Sequence, residues 1–270
     1  MYVVSKLVLE VIPPFTLISM RLTLAALTLG AALAVTGWRP IPRQHLRAVI
    51  AVGVVGYGVS LGFQFVGTKL STAANGALVT SATPAFILVL AGWLLRERLT
   101  WRKLAAVLIS TAGVLAVVDP MSANLDPVLF WGNLILLAAG VTWALYSVLV
   151  RKVSRGLSVL PLSAIAFLGG LAVSFPLAIW ETTTLGLGAI TWNVLAGVLF
   201  LGIVCTAFAM LLWNTAFSIL EAGAASLTFF AQPIVGTILG VVLLGETTSP
   251  LFLLGALLIG AGLLLASREP

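Results

Sequence analysis

The chain has 270 residues, of which 61% are hydrophobic and only 8% charged, against roughly 25% charged in an ordinary soluble domain. A single core of this size cannot hide so much apolar surface from water, so a soluble globular domain is excluded and lipid is the remaining solvent. The net charge of +6 does not indicate nucleic acid, because the basic residues sit in short loops between apolar runs rather than on one phosphate-binding face.

In chain order the apolar runs cover residues 1–11, 15–37, 46–66, 71–95, 104–118, 127–150, 158–180, 192–217, 222–244 and 251–266. Their length and the mean hydropathy of +1.19 predict membrane-spanning helices. Backbone in hydrocarbon must satisfy its own hydrogen bonds, and the alternating pattern of a barrel strand is missing. The expected fold is therefore an all-α polytopic membrane protein of ten transmembrane helices. The first run is short: 11 residues reach about 17 Å, against roughly 30 Å of hydrocarbon. The expectation is that the native protein begins earlier and that this first helix is truncated at its N-terminus. The run lacks the basic n-region and cleavage-like segment of a signal peptide.

Orientation follows from Lys and Arg. With the N-terminus inside, one face collects Arg39, Arg43, Arg47, Arg96, Arg98, Arg102, Lys103, Arg151, Lys152, Arg155 and Arg268. The other face carries Lys69 beside Asp119, Asp126, Glu181 and Glu246. This bias places both termini in the cytoplasm. The lone Cys205 rules out a disulfide framework within the chain.

A shift of 149 residues aligns the sequence with itself from about residue 53 to residue 118. It carries Gly53 onto Gly202, Ala73 onto Ala222, Pro84 onto Pro233, Glu97 onto Glu246 and Ala112-Gly113 onto Ala261-Gly262. Leu and Ala matches say little in so apolar a chain; the Pro, Glu and Gly matches say more. Each repeat holds five spans, an odd number, so the halves 1–119 and 120–270 are expected to insert with opposite topology. Inverted repeats belong to alternating-access carriers, which bind substrate near the midplane between the halves.

Polar and aromatic residues within the spans are the candidate site. Gln64, Asn75, Asn214 and Gln232 offer both donors and acceptors, with interhelical packing as the alternative for each. Tyr57, Trp143, Tyr146 and Trp213 could wall a pocket for flat rings. Trp38, Trp101, Trp131, Trp180 and Trp192 lie near span ends and read as interfacial anchors. Lys6 and Arg21 are the basic residues inside spans, and snorkelling towards the outer face is expected of both. Lys6 is four residues before Glu10, a spacing that permits a helical ion pair; the sharper alternative is that Lys6 attracts a substrate carboxylate. Pro84 and Pro233 in mid-span predict kinks, and as repeat equivalents they are candidate gating hinges. Gly58…Gly62 and Gly236…Gly240 have close-packing spacing.

Several of these residues form an ordered set: Lys6, Pro13-Pro14, Arg21, Ala73-Ala74-Asn75…Thr83-Pro84, Leu95-Arg96-Glu97, Trp143-Ala144-Leu145-Tyr146, Glu221-Ala222…Gln232-Pro233 and Leu244-Gly245-Glu246. In this set the chain resembles the drug/metabolite transporter superfamily, specifically its EamA-type ten-span exporters, and among them most the bacterial aromatic amino acid exporters. The resemblance implies an inner-membrane carrier exporting aromatic amino acids and related small metabolites through a cavity lined by spans 1, 3, 4, 6, 8 and 9. A channel or lipid flippase of the same fold remains the alternative. An enzyme is disfavoured, because His45 is the single His and lies in a loop, and no metal-ligand cluster or carboxylate pair occupies a span. No Walker motif is present. The expected partners are a small-molecule substrate and the bilayer, with no cofactor, no metal, no nucleic acid and no obligate protein partner. A monomer running facilitated or weakly proton-linked transport is the corresponding expectation.

Overall fold

The structure, a computed structural model, describes residues 2–37, 40–71, 82–118, 127–230 and 250–267. The described residues are helical and hold no strand. The helices are α1 (Tyr2–Leu9), α2 (Pro14–Thr36), α3 (Arg43–Leu70), α4 (Thr83–Leu94) and α5 (Trp101–Val118). They are followed by α6 (Pro127–Val153), α7 (Val159–Thr184), α8 (Trp192–Ile219), α9 (Ala222–Ser226, prolonged by a 3₁₀ turn over Leu227–Phe230) and α10 (Pro250–Ser267). Each apolar run read from the sequence overlaps one of these helices. Segments Pro14–Thr36, Arg43–Leu70, Trp131–Val153, Val159–Thr184 and Trp192–Ile219 are long and apolar enough to cross a membrane. Their outward residues, such as Leu27, Phe175 and Leu212, are exposed as lipid-facing side chains would be. The protein is a polytopic membrane protein.

The helices pack in pairs that map onto themselves when the halves are exchanged. Helix α2 lies along α7, and α5 along α10, each pair joining equivalent helices of the two repeats. Likewise α3 packs on α6 and α7, while α8 packs on α1 and α2. The backbone repeats a finer signature. Helix α3 widens into a π-helical stretch over Val54–Ser60, and α8 does so over Phe200–Phe208. The 149-residue shift carries the first stretch onto residues 203–209, so the two distortions sit at overlapping places in the repeat. In α8 the widened turn is filled by Thr206, whose hydroxyl donates to the Leu201 carbonyl five residues back at 2.7 Å. Such π-bulges recur at functional sites.

Glycines set the closest crossings. A β-carbon on Gly53 would stand 1.9 Å from the Ala166 carbonyl oxygen, and one on Gly169 would stand 2.3 Å from that of Ile50. Here α3 and α7 touch backbone to backbone. The pair singled out by spacing, Gly58 and Gly62, faces the Val173 and Phe15 side chains instead; Gly236 and Gly240 lie outside the described residues. Pro84 sits in the first turn of α4, where a missing N–H breaks no helical bond, rather than amid regular described helix. Pro176 is the proline that lies inside a described helix, α7. Trp101, Trp131, Trp180 and Trp192 are exposed near helix ends, as interfacial anchors would be.

Two charged residues depart from the sequence reading. Helix α7 does not stop at residue 180 but runs to Thr184, which takes Glu181 out of the expected loop. The Glu181 carboxylate is buried and accepts the Thr16 N–H at 2.9 Å and the Thr16 hydroxyl at 3.1 Å, capping the start of α2. Arg21 does not snorkel to the outer face; it is 2% exposed, enclosed between α2, α3 and α8. Replacing Glu181 with Ala is expected to leave the α2 N–H groups uncapped in a buried place. The loss is about 1–3 kcal/mol, seen as a fall of several degrees in the unfolding midpoint of the detergent-solubilised protein; an unchanged midpoint would show the cap to be dispensable.

Candidate functional site

The π-helical turn of α3 aims Tyr57 into the bundle, where three helices of the other half meet it. Tyr146 comes from α6, Ser163 from α7 and Asn214 from α8, and all four residues are fully buried. The Tyr146 hydroxyl donates to the Asn214 side-chain oxygen at 2.5 Å. The Asn214 amide nitrogen donates to the Tyr57 hydroxyl at 3.2 Å and to the Ser163 hydroxyl at 2.9 Å. The two phenol oxygens are also hydrogen-bonded to each other. Because the Tyr146 proton goes to Asn214, the proton between the phenols belongs to Tyr57. Asn214 to Tyr57, Tyr57 to Tyr146 and Tyr146 back to Asn214 therefore close a ring in which each donor has an acceptor. Rings of this kind gain strength from mutual polarisation in a low-dielectric setting.

Aromatic side chains surround the ring. Phe167 lies 4.7 Å from Tyr57 between ring centroids, and Trp143 stands 4.9 Å from Tyr146 and 6.5 Å, edge on, from Tyr57. The stack continues through Trp213, 6.1 Å from Trp143, to Phe217 and Phe229 at 4.7 and 5.4 Å. Trp213 donates its indole N–H to the Ser147 hydroxyl at 3.3 Å. The Trp143 indole N–H is buried and meets no acceptor among the described residues. Gly56 makes room for this arrangement, since a β-carbon there would stand 2.2 Å from the Tyr146 ring.

The structure thus brings together Tyr57, Trp143, Tyr146, Trp213 and Asn214, residues that the sequence singled out separately. In this conformation Tyr57, Tyr146 and Asn214 do not line an open cavity; they hydrogen-bond to one another. Gln64 is half-buried on α3, seven residues beyond Tyr57. Asn75, Gln232, Pro233 and the side chain of Lys6 lie outside the described residues. Ser163 escaped the sequence reading because a serine in a Leu- and Ala-rich helix carries no signal of its own. Arg21 was visible as a charge within a span, but its depth was not. Its Nε donates to the Thr206 hydroxyl at 3.0 Å and its guanidinium lies 4.9 Å from the Phe65 ring centroid. The 149-residue shift carries Tyr57 onto Thr206 and Phe65 onto Asn214, so Arg21 contacts the repeat equivalents of two members of the ring. Among the described residues no group of His, Cys, Asp and Glu could hold a metal ion.

A bundle of long apolar helices whose repeated halves enclose polar and aromatic groups is the architecture of a secondary transporter. The sequence profile of the EamA-like transporter family matches residues 1–119 and again 130–268, so the chain belongs to that family, whose members are transporters rather than enzymes. An uncharacterised transporter of Archaeoglobus fulgidus is 28% identical over 256 residues, covering 95% of this chain and 89% of that protein. A probable terminal-alkyne amino-acid exporter of Streptantibioticus cattleyicolor is 28% identical over 254 residues, covering 92% of this chain and 82% of that protein. A solved crystal structure matches with a TM-score of 0.81 at 23% identity, covering 98% of this chain and 91% of the other, which shows the common fold.

Proposed function

We propose that this protein is a bacterial inner-membrane carrier that exports amino acids, aromatic ones foremost, by alternating access between the units 1–119 and 120–270. The observation that carries the reading is the neutral hydrogen-bonded ring of Tyr57, Tyr146 and Asn214 set between aromatic walls where the halves meet. An aromatic side chain would stack against Trp143 and Trp213, and the polar end of an amino acid would exchange hydrogen bonds with the ring and the Trp143 indole. Gln64 and Gln232 are proposed to add polar contacts, Lys6 to draw in the carboxylate, and Pro84 and Pro233 to act as hinges. The amino-acid exporter among the relatives supports the substrate class. The Lys and Arg bias supports termini in the cytoplasm.

Reconstitution into liposomes tests this directly. Preloaded unlabelled tryptophan or phenylalanine should drive transient, saturable accumulation of the labelled compound. Flux that rises linearly with concentration and shows no counterflow would indicate a channel. Counterflow with other solutes but with no aromatic amino acid would overturn the substrate. Trp143→Ala removes one wall, and the half-saturating concentration should rise about three- to tenfold.

A further inference from the structure

A second set of contacts between the halves lies away from the ring, at the end of the bundle where α4 leaves the core and α9 begins. Here α4 packs on its own repeat equivalent, α9. Gly223 permits the approach, since a β-carbon there would meet the Leu88 side chain at 2.8 Å. Ile87, Leu88, Ala91, Ala222 and Ala225 are buried in this contact region. The chain then turns sharply. Arg96 has φ of 56°, the left-handed conformation that favours glycine, and is the one non-glycine residue in it among the described residues.

That turn delivers Glu97 to the other half. Its carboxylate accepts the N–H of Ala222 at 2.9 Å through one oxygen and that of Gly223 at 3.3 Å through the other. The neighbouring Lys103 forms an ion pair with Glu221, the residue just before α9. Both links run from the α4–α5 corner of the first half to the α8–α9 corner of the second. They differ from the other carboxylate cap between the halves, Thr16–Glu181, which is buried on both sides. Glu97 is half-buried, and in the Lys103–Glu221 pair the glutamate side chain is 57% exposed while that of Lys103 is 6% exposed, so water can replace the partner on the glutamate side of each link. Links of that kind release and re-form at small free-energy difference, whereas a fully buried one does not.

We propose that Glu97, aided by the Lys103–Glu221 pair, is a latch that holds this mouth of the transport path shut, and that parting Glu97 from the Ala222 and Gly223 amides opens it. The latch rests on the alternating-access reading but not on the identity of the substrate. Strain at Arg96 serves it, because a residue kept in a sparsely populated conformation by its surroundings is poised to relax when they change.

Thiol labelling tests the latch without any substrate. In a Cys205→Ser background, Ala225→Cys places a single thiol behind it, to be labelled by a water-soluble maleimide with the protein in nanodiscs. Adding Glu97→Gln or Lys103→Met, in variants that remain monodisperse, should raise the labelling rate about tenfold or more, as loss of charge-assisted hydrogen bonds implies. Rates unchanged from the latched protein would overturn the proposal. A second measurement does not depend on weakening the fold. Glu97→Cys with Ala222→Cys, bridged by a short bis-thiosulfonate reagent, should lose counterflow and regain it on reduction. Undiminished counterflow in the bridged protein would overturn the latch. If the wild type moves no amino acid at all, the substrate reading fails while the labelling result still decides the latch.

Discussion

Asn214→Leu is expected to destabilise the protein by about 2–4 kcal/mol and to abolish transport. The leucine fills similar space but removes the acceptor of the Tyr146 hydroxyl and the donor to both Tyr57 and Ser163. The Tyr146 proton and the Ser163 hydroxyl then lose their Asn214 partner at a site with no solvent access, while the two phenols still bond to each other. Single hydrogen bonds between membrane helices average about 0.6 kcal/mol, so most of the loss comes from the orphaned groups rather than from the bonds themselves. Tyr57→Phe and Tyr146→Phe should each cost about 1 kcal/mol. The double substitution should cost less than the sum, because removing both hydroxyls leaves no phenol without its partner. Unfolding in denaturing detergent, followed by helical circular dichroism, measures all four. Additive losses for the tyrosine pair would show that the ring does not act as a unit.

Gly53→Ala should do more harm to folding than the addition of one methyl group to any other glycine among the described residues. The new carbon would sit 1.9 Å from a backbone oxygen of α7, a contact that no rotamer change relieves. Helix α3 must move away, and Tyr57 lies four residues along it, so displacement at the crossing also pulls the ring apart. Overpacking of this kind costs about 3 kcal/mol or more. Gly169→Ala, facing the Ile50 carbonyl oxygen across the same crossing, should behave alike. Gly30→Ala in α2 is the control: a β-carbon there meets nothing within 4 Å, and helix propensity predicts a gain of up to about 1 kcal/mol. The yield of monodisperse protein and its midpoint of thermal unfolding rank the three. A Gly53→Ala protein as stable as wild type would mean that the α3–α7 crossing is slack.

Much of the candidate site was legible one residue at a time. Tyr57, Trp143, Tyr146 and Asn214 stood out because a polar or amphipathic group inside a span is costly unless something satisfies it. What satisfies it was not legible. The partners are far apart in sequence, 89 residues for Tyr57 and Tyr146 and 157 for Tyr57 and Asn214. Ser163 could be found only through Asn214. Arg21 and Glu181 were misplaced for a related reason. Both lie near one end of a span, where an unpartnered charge would reach for water, but the fold supplies Thr206 and Phe65 to one and Thr16 to the other. Glu97 stands between Arg96 and Arg98 in the sequence, and nothing local shows that the left-handed turn at Arg96 directs it to α9.

By itself the sequence determined that this protein lives in lipid, that it crosses the bilayer repeatedly, and that the stretch from about residue 53 to 118 matches a later one at a shift of 149 residues. Transfer of apolar side chains out of water is a sum over residues, so composition and run length suffice for such conclusions. Only the tertiary structure decided that α3 and α7 touch through glycine, that two phenols and one amide close a ring, and that one glutamate clasps α9 across the repeats. Those outcomes depend on direction and on partners brought from distant helices, because a hydrogen bond or a backbone contact exists at one geometry and not at its neighbours.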